Sequence, residues 1–346
     1  MSTNKIYIYG IMLENHNTDM LRLLENSELY TISFKNILAI VSDTEDIQLD
    51  QLNKKSLGYL LIHHQKTIEA LQLKGSSTLI PMKFYTVVGS KQEVIKVLAN
   101  GYELIITTLK KTEYLTEIDL AATWDNFPEI LKEISGHPEI VSLRDEIQKK
   151  IDILSQADQM KIGMLVQSKL KEKNTKTEFN ILDSLSQCSL DIKTHQVMND
   201  EMVTNSAFLI NINNQGLFEK IVDQLDEEYK GLLNFKLVGP LPCYSFYTLE
   251  VNELNLEIVL QAIIELRLGD ETTESEIKKA YLEKAKLFHP DAHPRNGDKE
   301  SFNKINMAYR TLINYSAAIR QSSNDDNISL AKEKVIENLI LVKIME

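Results

Sequence analysis

The chain has 346 residues, of which 43% are hydrophobic and 25% charged, the composition of an ordinary globular protein with room for two or three cores. Its formal net charge of -12 would repel phosphate backbones, so a nucleic-acid-binding protein is not expected. Cys188 and Cys243 form no C-x-x-C pair, which argues against a thiolate zinc site and a disulfide scaffold. Without a signal-peptide pattern or a run of about 18 apolar residues, we expect a cytoplasmic protein with no membrane span.

The first 124 residues are predicted to form an N-terminal α+β domain. KIYIYGIM (5–12) and ILAIVS (37–42) are rich in β-formers, whereas DMLRLLENS between them has helical spacing. SLGYLLIHHQKTIEALQL has the periodicity of a buried helix, whose inward face would carry Leu57, Leu60, Leu61, Ile68 and Leu71. A strand with Pro81 at an edge or a bulge, further helical periodicity and the alternating stretch YLTEIDLAATW complete the domain.

The side chains in this domain that could serve as functional groups have simple structural interpretations. His63 and His64 are expected to be surface or core residues of the helix, and Trp124 to anchor the end of the domain. Glycines are spaced too widely for G-x-G-x-x-G or a P-loop, and neither H-E-x-x-H nor G-x-S-x-G occurs, so we expect no enzyme and no cofactor. A Ser/His/Asp site assembled across the fold is the alternative that remains open.

Residues 125–200 are predicted to be a mainly helical segment that packs with the second domain. SAFLININ, GLFEKIVDQLDEEYKG and FKLVGPLPCYSFYTLEV then follow in strand, helix, strand order, so residues 201–256 form the remainder of a second α+β domain, predicted to be ferredoxin-like. Within GPLPCYSF, the prolines and Gly239 are expected to mark the entry to a strand. Tyr244, Phe246 and Tyr247 are expected to pack on a sheet or to line its edge.

Residues 257–320 have the pattern of a helical hairpin. Thr273 to Glu276 match a capping box, so a helix should begin there and end before Pro290. Its apolar face would carry Ile277, Tyr281, Ala285 and Phe288, and a second helix would carry Phe302, Ile305, Ala308, Tyr309 and Leu312. An antiparallel arrangement places the tripeptide His289, Pro290, Asp291 in the exposed turn.

A small basic surface is predicted on the first of these helices. Lys278, Lys279, Lys284 and Lys286 outnumber Glu276 and Glu283, which in an acidic chain suggests an acidic protein partner. Residues 321–346 are predicted to be a polar linker followed by a short C-terminal helix.

ESEIKKAY, then HPD, then FNKINMAYRTL resemble a J-domain, the module by which Hsp40-type co-chaperones engage Hsp70. The resemblance covers about residues 262–315 and implies that His289, Pro290 and Asp291 trigger ATP hydrolysis in a bound, DnaK-like Hsp70, with Lys278, Lys279 and Lys286 helping it to dock. The sequence departs from the family pattern at Leu282, Glu283, Lys284, Ala292 and His293. The fold class is therefore predicted as α+β: two α+β domains with a helical connector, followed by a small all-α unit that resembles a J-domain.

Two other interpretations of His289 are weaker. A histidine that caps a helix before a chain-breaking proline is the common structural case, but it does not account for matching helices on both sides. A metal site with His293 is disfavoured because Pro290 and Pro294 prevent the helix that would align the two rings.

The rest of the chain resembles the GvpL/GvpF family of gas vesicle proteins. The resemblance lies in YIYGIM, in HHQKTIEAL with TLIPMKFYTVVGSKQEV, and in MVTNSAFLI with FKLVGPLPCYSFYTLEV, over roughly residues 5–255. Family members typically carry a Gly-Pro-x-Pro-Pro-Tyr-Ser-Phe run, which residues 239–246 keep except at Cys243.

This resemblance implies an accessory protein of gas vesicle formation whose partners are the apolar shell protein and other gas vesicle proteins, at the gas vesicle. Shell subunits with a face that stays dry would aggregate alone. We therefore expect a binding domain that holds the shell protein, joined to a module that recruits Hsp70. The alternatives are a minor structural component of the shell and a general co-chaperone unrelated to vesicles.

Overall fold

A computed structural model of the chain describes residues 5–14, 28–45, 47–75, 78–150, 155–288, 299–323 and 326–345. The chain divides into two compact units, the first made of Met1–Glu113 and Tyr247–Glu346 and the second of Tyr114–Phe246. The second unit is thus an insertion in the sequence of the first. The predicted helix over DMLRLLENS lies outside the described residues.

The first unit is built on a five-stranded sheet. Its strands are β1 (Lys5–Leu13), β2 (Tyr30–Phe34), β3 (Ile37–Thr44), β4 (Leu79–Pro81) and β5 (Val87–Val88). They lie in the order β2-β3-β1-β4, with β5 also paired to β1, and all pairs are antiparallel. β1 is buried from Ile6 to Met12, which explains its nearly continuous apolar sequence. β4 lies at an edge, so the edge position predicted for Pro81 is confirmed.

Within the described residues between 28 and 113, the helices that accompany this sheet are α1 (Lys54–Gly75), α2 (Lys91–Asn100) and α3 (Tyr102–Thr112). The residues of α2 and α3 that join the core of the sheet are Val94, Val97, Leu98, Ile105 and Leu109. On α1, Ile68 and Leu71 are buried as predicted, but Leu61 is 46% exposed. The buried stripe passes through His64, and Leu61 lies about 60° from His64 around the helix, at the margin of that stripe.

His64 is a core residue, whereas His63 beside it is exposed. The Tyr7 hydroxyl lies 2.8 Å from His64 Nδ1, and the Tyr9 ring stacks on the imidazole at 5.9 Å. Burial, together with the charge of His63, lowers the pKa of His64 to about 4, against a hydrogen bond to the Met82 backbone that raises it. The ring is therefore neutral at physiological pH.

The second unit is a ferredoxin-like sheet with helices. Its strands are β6 (Leu115–Trp124), β7 (Asp191–Thr194), β8 (Met202–Asn211) and β9 (Leu233–Leu241), and its helices are α4 (Phe127–Ser135), α5 (Pro138–Lys150), α6 (Gln156–Ser186) and α7 (Gln215–Tyr229). The strands are antiparallel in the order β7-β8-β6-β9. A strand, helix, strand, strand, helix, strand sequence with this order confirms the predicted ferredoxin-like arrangement.

The domain boundary predicted at residue 124 is corrected to residues 113/114. The sequence of β6 follows the helices of the first domain along the chain, but β6 is a central strand of the second sheet, paired with β8 and β9. Trp124 accordingly belongs to the core of the second unit, where its indole N–H donates to Asn174 Oδ1 at 2.8 Å.

The carboxy-terminal part of the first unit carries helices between two paired strands. Its elements are β10 (Leu249–Glu253), α8 (Leu256–Leu266), β11 (Glu271–Thr272), α9 (Glu274–Phe288), α10 (Lys299–Ser323), β12 (Ile328–Ser329), α11 (Lys332–Glu337) and β13 (Ile340–Ile344). β10 and β13 form an antiparallel ribbon, and β11 pairs with β12. We call α8, α9 and α10 the helical unit.

The tail differs from the predicted linker and short helix. In the described part of the tail, α10 extends to Ser323 and α11 is a short helix, but the apolar run after α11 forms β13, which pairs with β10 and buries Ile340, Leu341 and Val342. A second correction follows: residues 247–256 contribute to the first unit and not to the second domain.

The ribbon of β10 and β13 completes the core of the first unit. Leu249, Ile340 and Val342 belong to the same apolar cluster as the five-stranded sheet, and the Lys83 N–H donates to the Leu249 carbonyl at 2.7 Å. Gly101 lies against β13 so closely that an added Cβ would meet Val342 Cγ1 at 2.8 Å. The glycine between α2 and α3 therefore makes room for the tail strand.

We predict that Gly101→Ala lowers the free energy of unfolding by about 1–3 kcal/mol, because the new methyl group overpacks the contact with Val342. Denaturant titration of the full chain measures this change. The control is Gly58→Ala in α1, where nothing lies within 4 Å and stability should stay equal or rise by up to about 1 kcal/mol. A double-mutant cycle with Val342→Ala should show coupling of at least about 1 kcal/mol. Equal destabilisation by the two glycine substitutions would contradict this packing.

A second prediction concerns pH. Because the pKa of His64 is lowered from 6.5 to about 4 on folding, its contribution to stability is present above pH 6.5 and is lost as the pH falls toward 4. The wild type should lose about 2 kcal/mol more than His64→Gln between pH 7 and pH 5, by urea titration at each pH. His63→Gln, at an exposed position, is the matched control and should follow the wild type. Parallel pH profiles for wild type and His64→Gln would refute the assignment.

Candidate functional site

α9 and α10 of the helical unit form the predicted antiparallel hairpin. Glu274 at the start of α9 pairs with Arg320 near the end of α10 at 2.6 Å. In the middle of the hairpin, the Tyr281 hydroxyl donates to Asn306 Oδ1 at 2.8 Å, and its ring stacks on Tyr309 with centroids 4.2 Å apart. Residue numbers rise from Glu274 to Tyr281 along α9, whereas those of their partners fall from Arg320 to Tyr309 and Asn306 along α10. The two helices are therefore antiparallel.

The predicted capping box at the start of α9 is present. The Thr273 hydroxyl accepts from the Glu276 N–H at 3.3 Å, and the Glu276 carboxylate accepts from the Thr273 N–H at 2.8 Å. Two amides that the helix leaves unpaired are thereby satisfied. The residue at which α9 begins, and with it which side chains face the solvent, is therefore set by the local sequence.

Most of the residues predicted for the two inward faces lie in the core of the helical unit, but Ala285 and Phe302 are half-buried and do not belong to its apolar cluster. Ile277, Ile305 and Leu312 are fully or almost fully buried, and the aromatic residues Tyr281, Phe288 and Tyr309 pack around them half-buried. Tyr315, which the sequence-based prediction omitted, is also fully buried. Its position three residues after Leu312 extends the same helical stripe and is the signal that could have identified it.

The basic residues predicted to dock Hsp70 lie on the open surface of α9. Lys278, Lys279 and Lys286 are all exposed, and Lys278 and Lys286 share one face because they are eight residues apart. Leu282 between them is 47% exposed, so this surface combines positive charge with an apolar side chain. His289, Pro290 and Asp291 lie outside the described residues.

Lys284 has a different role from the one predicted. Its side chain is half-buried and its ammonium group donates to the backbone carbonyl of Glu265, near the C-terminal end of α8. The last carbonyls of a helix have no intrahelical donor and carry partial negative charge, so a lysine stabilises them. This contact explains how the hairpin accommodates Lys284, where the sequence departs from the J-domain pattern, and it removes Lys284 from the exposed basic surface.

The GPLPCYSF segment of the second unit holds a buried carboxylate. Glu117 on β6 is 1% exposed, and its two oxygens accept from the Ser245 N–H and the Ser245 hydroxyl, each at 2.8 Å. The Ser245 oxygen also lies 3.3 Å from His195 Nε2. At Gly239, an added Cβ would lie 3.0 Å from the Glu117 carbonyl oxygen. Ser245 and Gly239 thus fasten this segment to β6, a contact over 128 residues that sequence spacing does not reveal.

Burial dominates the electrostatics of this cluster. It raises the pKa of Glu117 to about 8, against the hydrogen bonds from Ser245 that lower it. Burial also raises the pKa of Asp119 on the same strand, and His195 counteracts this rise. The Cys243 thiol, buried near Glu117, has its pKa raised to about 12 and is therefore not a nucleophile at neutral pH. The Ser245 hydroxyl donates to the Glu117 carboxyl group, so the cluster is best explained as a structural clamp.

Among the described residues, no three His, Cys, Asp or Glu side chains come together in a way that could hold a metal ion. No helix in the same parts of the chain is long and apolar enough to cross a membrane.

Comparison with known proteins agrees with this architecture. The family model for the gas vesicle synthesis protein GvpL/GvpF matches residues 5–248, and the model for the DnaJ domain matches residues 265–318. Gas vesicle protein F of Nostoc sp. is 24% identical over 243 residues, covering 70% of this chain and 97% of that protein. The chaperone protein DnaJ of Caldicellulosiruptor bescii is 54% identical over 41 residues, 12% of this chain and 11% of that protein.

The fold of the part that matches the GvpL/GvpF model is shared with a solved structure. The crystal structure of the gas vesicle protein GvpF from Anabaena sp. superposes with a TM-score of 0.55 at 22% identity, covering 70% of this chain and 97% of that one. GvpF from Microcystis aeruginosa gives the same TM-score at 20% identity. With the fold, the GPLPCYSF clamp and the family match in agreement, the chain belongs to the GvpL/GvpF family of gas vesicle synthesis proteins and carries a DnaJ domain at its C-terminal side.

Proposed function

We propose that this protein is an accessory factor of gas vesicle formation that binds the hydrophobic shell protein and recruits Hsp70 through its J-domain during assembly. The observation that carries the proposal is the presence of both modules in one chain, with the J-domain helices inserted between two strands that complete the core of the first unit. A shell subunit with a large apolar surface aggregates unless it is held, and Hsp70 is a motor that acts on such surfaces.

The way in which the helical unit is attached supports this combination. β10 enters it and β13 leaves it, and the two strands are hydrogen-bonded from Leu249 and Ile344 to Glu253 and Ile340. Glu250 on this ribbon forms ion pairs with Lys83 and Lys343. A module held at both ends would bring Hsp70 to a defined place on the first unit, whereas a single flexible linker would let it diffuse over a wide volume.

The proposal assigns ATP hydrolysis to Hsp70 and no catalysis to this chain. It places the protein in the cytoplasm and at the gas vesicle, where the shell protein is assembled. Docking would use the exposed Lys278, Lys279 and Lys286 against an acidic surface of Hsp70, and the tripeptide from His289 to Asp291 would trigger hydrolysis.

We predict that the full-length protein stimulates the steady-state ATPase of a DnaK-type Hsp70 several-fold and that His289→Gln or Asp291→Asn abolishes the stimulation. Lys278→Glu with Lys279→Glu should weaken the apparent affinity about tenfold, because two attractive charges become repulsive. Lys332→Glu, at an exposed lysine of α11 away from α9, is the matched control. Wild-type stimulation no greater than that of His289→Gln would refute Hsp70 recruitment.

A further prediction separates the two modules. Full-length His289→Gln should bind purified shell protein with an affinity within about twofold of wild type, because the tripeptide lies outside the part that matches the vesicle family. Co-sedimentation with labelled shell protein measures this binding, and an unrelated apolar client such as unfolded luciferase tests for general chaperoning. Loss of shell-protein binding in His289→Gln would contradict the division of labour, and equal binding of luciferase would favour a general co-chaperone.

A further inference from the structure

The ferredoxin-like sheet of the second unit has one long edge that is open. β9 is the last strand in the order β7-β8-β6-β9, and the described parts of the chain place no strand on its outer side. Asn234 and every residue from Lys236 to Pro240 are exposed. The opposite edge strand, β7, has only four residues. Long exposed edges are templates for pairing with another chain, and short edge strands are one way in which proteins avoid such pairing.

A groove runs along this open edge on the helix side of the sheet. Leu237 is in register with Leu120, a core residue, so it faces the helix layer, and Phe235 two residues earlier faces the same way. Together with Val222 of α7, these side chains line a groove of about 480 Å³. The exposed edge and the groove are continuous, so a strand added to β9 would lay its side chains in it.

The rim of the groove is acidic. Asp223 and Asp226 lie one turn apart on α7, and Asp125 follows β6; all three are exposed and line the groove. Within the described residues, none of these carboxylates forms an ion pair. Lys236 alternates to the opposite face of the sheet, because it pairs with Ala121 instead of a residue of the helix side.

We propose that β9 is a docking edge for an extended segment of another protein, which adds a strand to the sheet and places an apolar and a basic side chain in alternation on its helix-facing side. Neighbouring strands lie about 4.8 Å apart, and same-face residues about 7 Å apart along a strand. An apolar residue of the added strand would therefore contact Leu237, while the basic residue two positions along the strand, on the same face, reaches Asp223 or Asp226.

A second copy of β9 does not meet this requirement. Leu233, Phe235 and Leu237 of β9 lie on the helix side and are all apolar, and Lys236 lies on the other face. The β9 strand of a second copy would therefore leave the carboxylates without a cation. A segment of a different protein that carries both basic and apolar residues can pair with the backbone of β9 and place a cation beside the carboxylates of the rim. This inference concerns the second unit and does not depend on whether the J-domain stimulates Hsp70.

The test uses the full-length protein and a fluorescein-labelled, end-blocked peptide of sequence Thr-Val-Thr-Lys-Thr-Val-Thr, which presents Val, Lys and Val on one face. Fluorescence anisotropy should show saturable binding that weakens with added NaCl. Asp223→Lys with Asp226→Lys should reduce the affinity at least about tenfold. Glu227→Lys with Glu228→Lys, exposed acids on the same helix that do not line the groove, should change it less than about twofold. Hydrogen exchange should show new protection from Asn234 to Val238.

The proposal is overturned if the peptide with Glu in place of Lys binds equally well, if both double variants lose affinity alike, or if β9 gains no protection. Absence of binding at millimolar peptide also overturns it. A concentration-dependent dimer in analytical ultracentrifugation that Asp223→Lys with Asp226→Lys leaves intact, and that protects β9, would assign the edge to a second copy instead.

Discussion

The pairing of β10 with β13 is the interaction on which the first unit depends. It closes the apolar cluster under the five-stranded sheet, and it also joins the two ends of the segment that carries the helical unit. Burial of Leu249, Ile340 and Val342 supplies the driving force, and backbone pairing supplies the register. The J-domain is consequently an integral part of a packed unit, and unfolding of the tail would expose the core of the vesicle-family part.

Local features of this chain were predictable because their causes are local. The capping box at Thr273 follows from short-range hydrogen bonding. The buried positions of Ile277 in α9 and of Ile305 and Leu312 in α10 follow from helical periodicity, and the structure confirms both predictions. Long-range partners were not predictable. The stretch that forms β6 has the alternating apolar and polar pattern of a strand, but this pattern does not indicate that its partners, β8 and β9, lie more than 75 residues later. The same limit applied to β13, whose apolar run fits a helix or a strand equally well until β10 is known.

In the candidate site, too, local features were predictable and long-range contacts were not. The positions of Lys278, Lys279 and Lys286 follow from helical spacing, whereas the role of Lys284 depends on the end of another helix and could not be inferred from charge alone. The GPLPCYSF run was visible as a motif, yet its partner Glu117 is a single acid in a strand. A motif identifies residues that matter, but a structure is needed to show what they contact.

The match to the vesicle family ends at residue 248, immediately before β10 begins at Leu249. Both strands that hold the J-domain therefore lie outside the family region, and they belong to the same added segment as the helices. This segment attaches to the first unit through the backbone of Met82 and Lys83 beside β4, and through burial of Leu249, Ile340 and Val342. The added segment therefore supplies both of its own attachment strands and leaves the order β2-β3-β1-β4 of the five-stranded sheet unchanged.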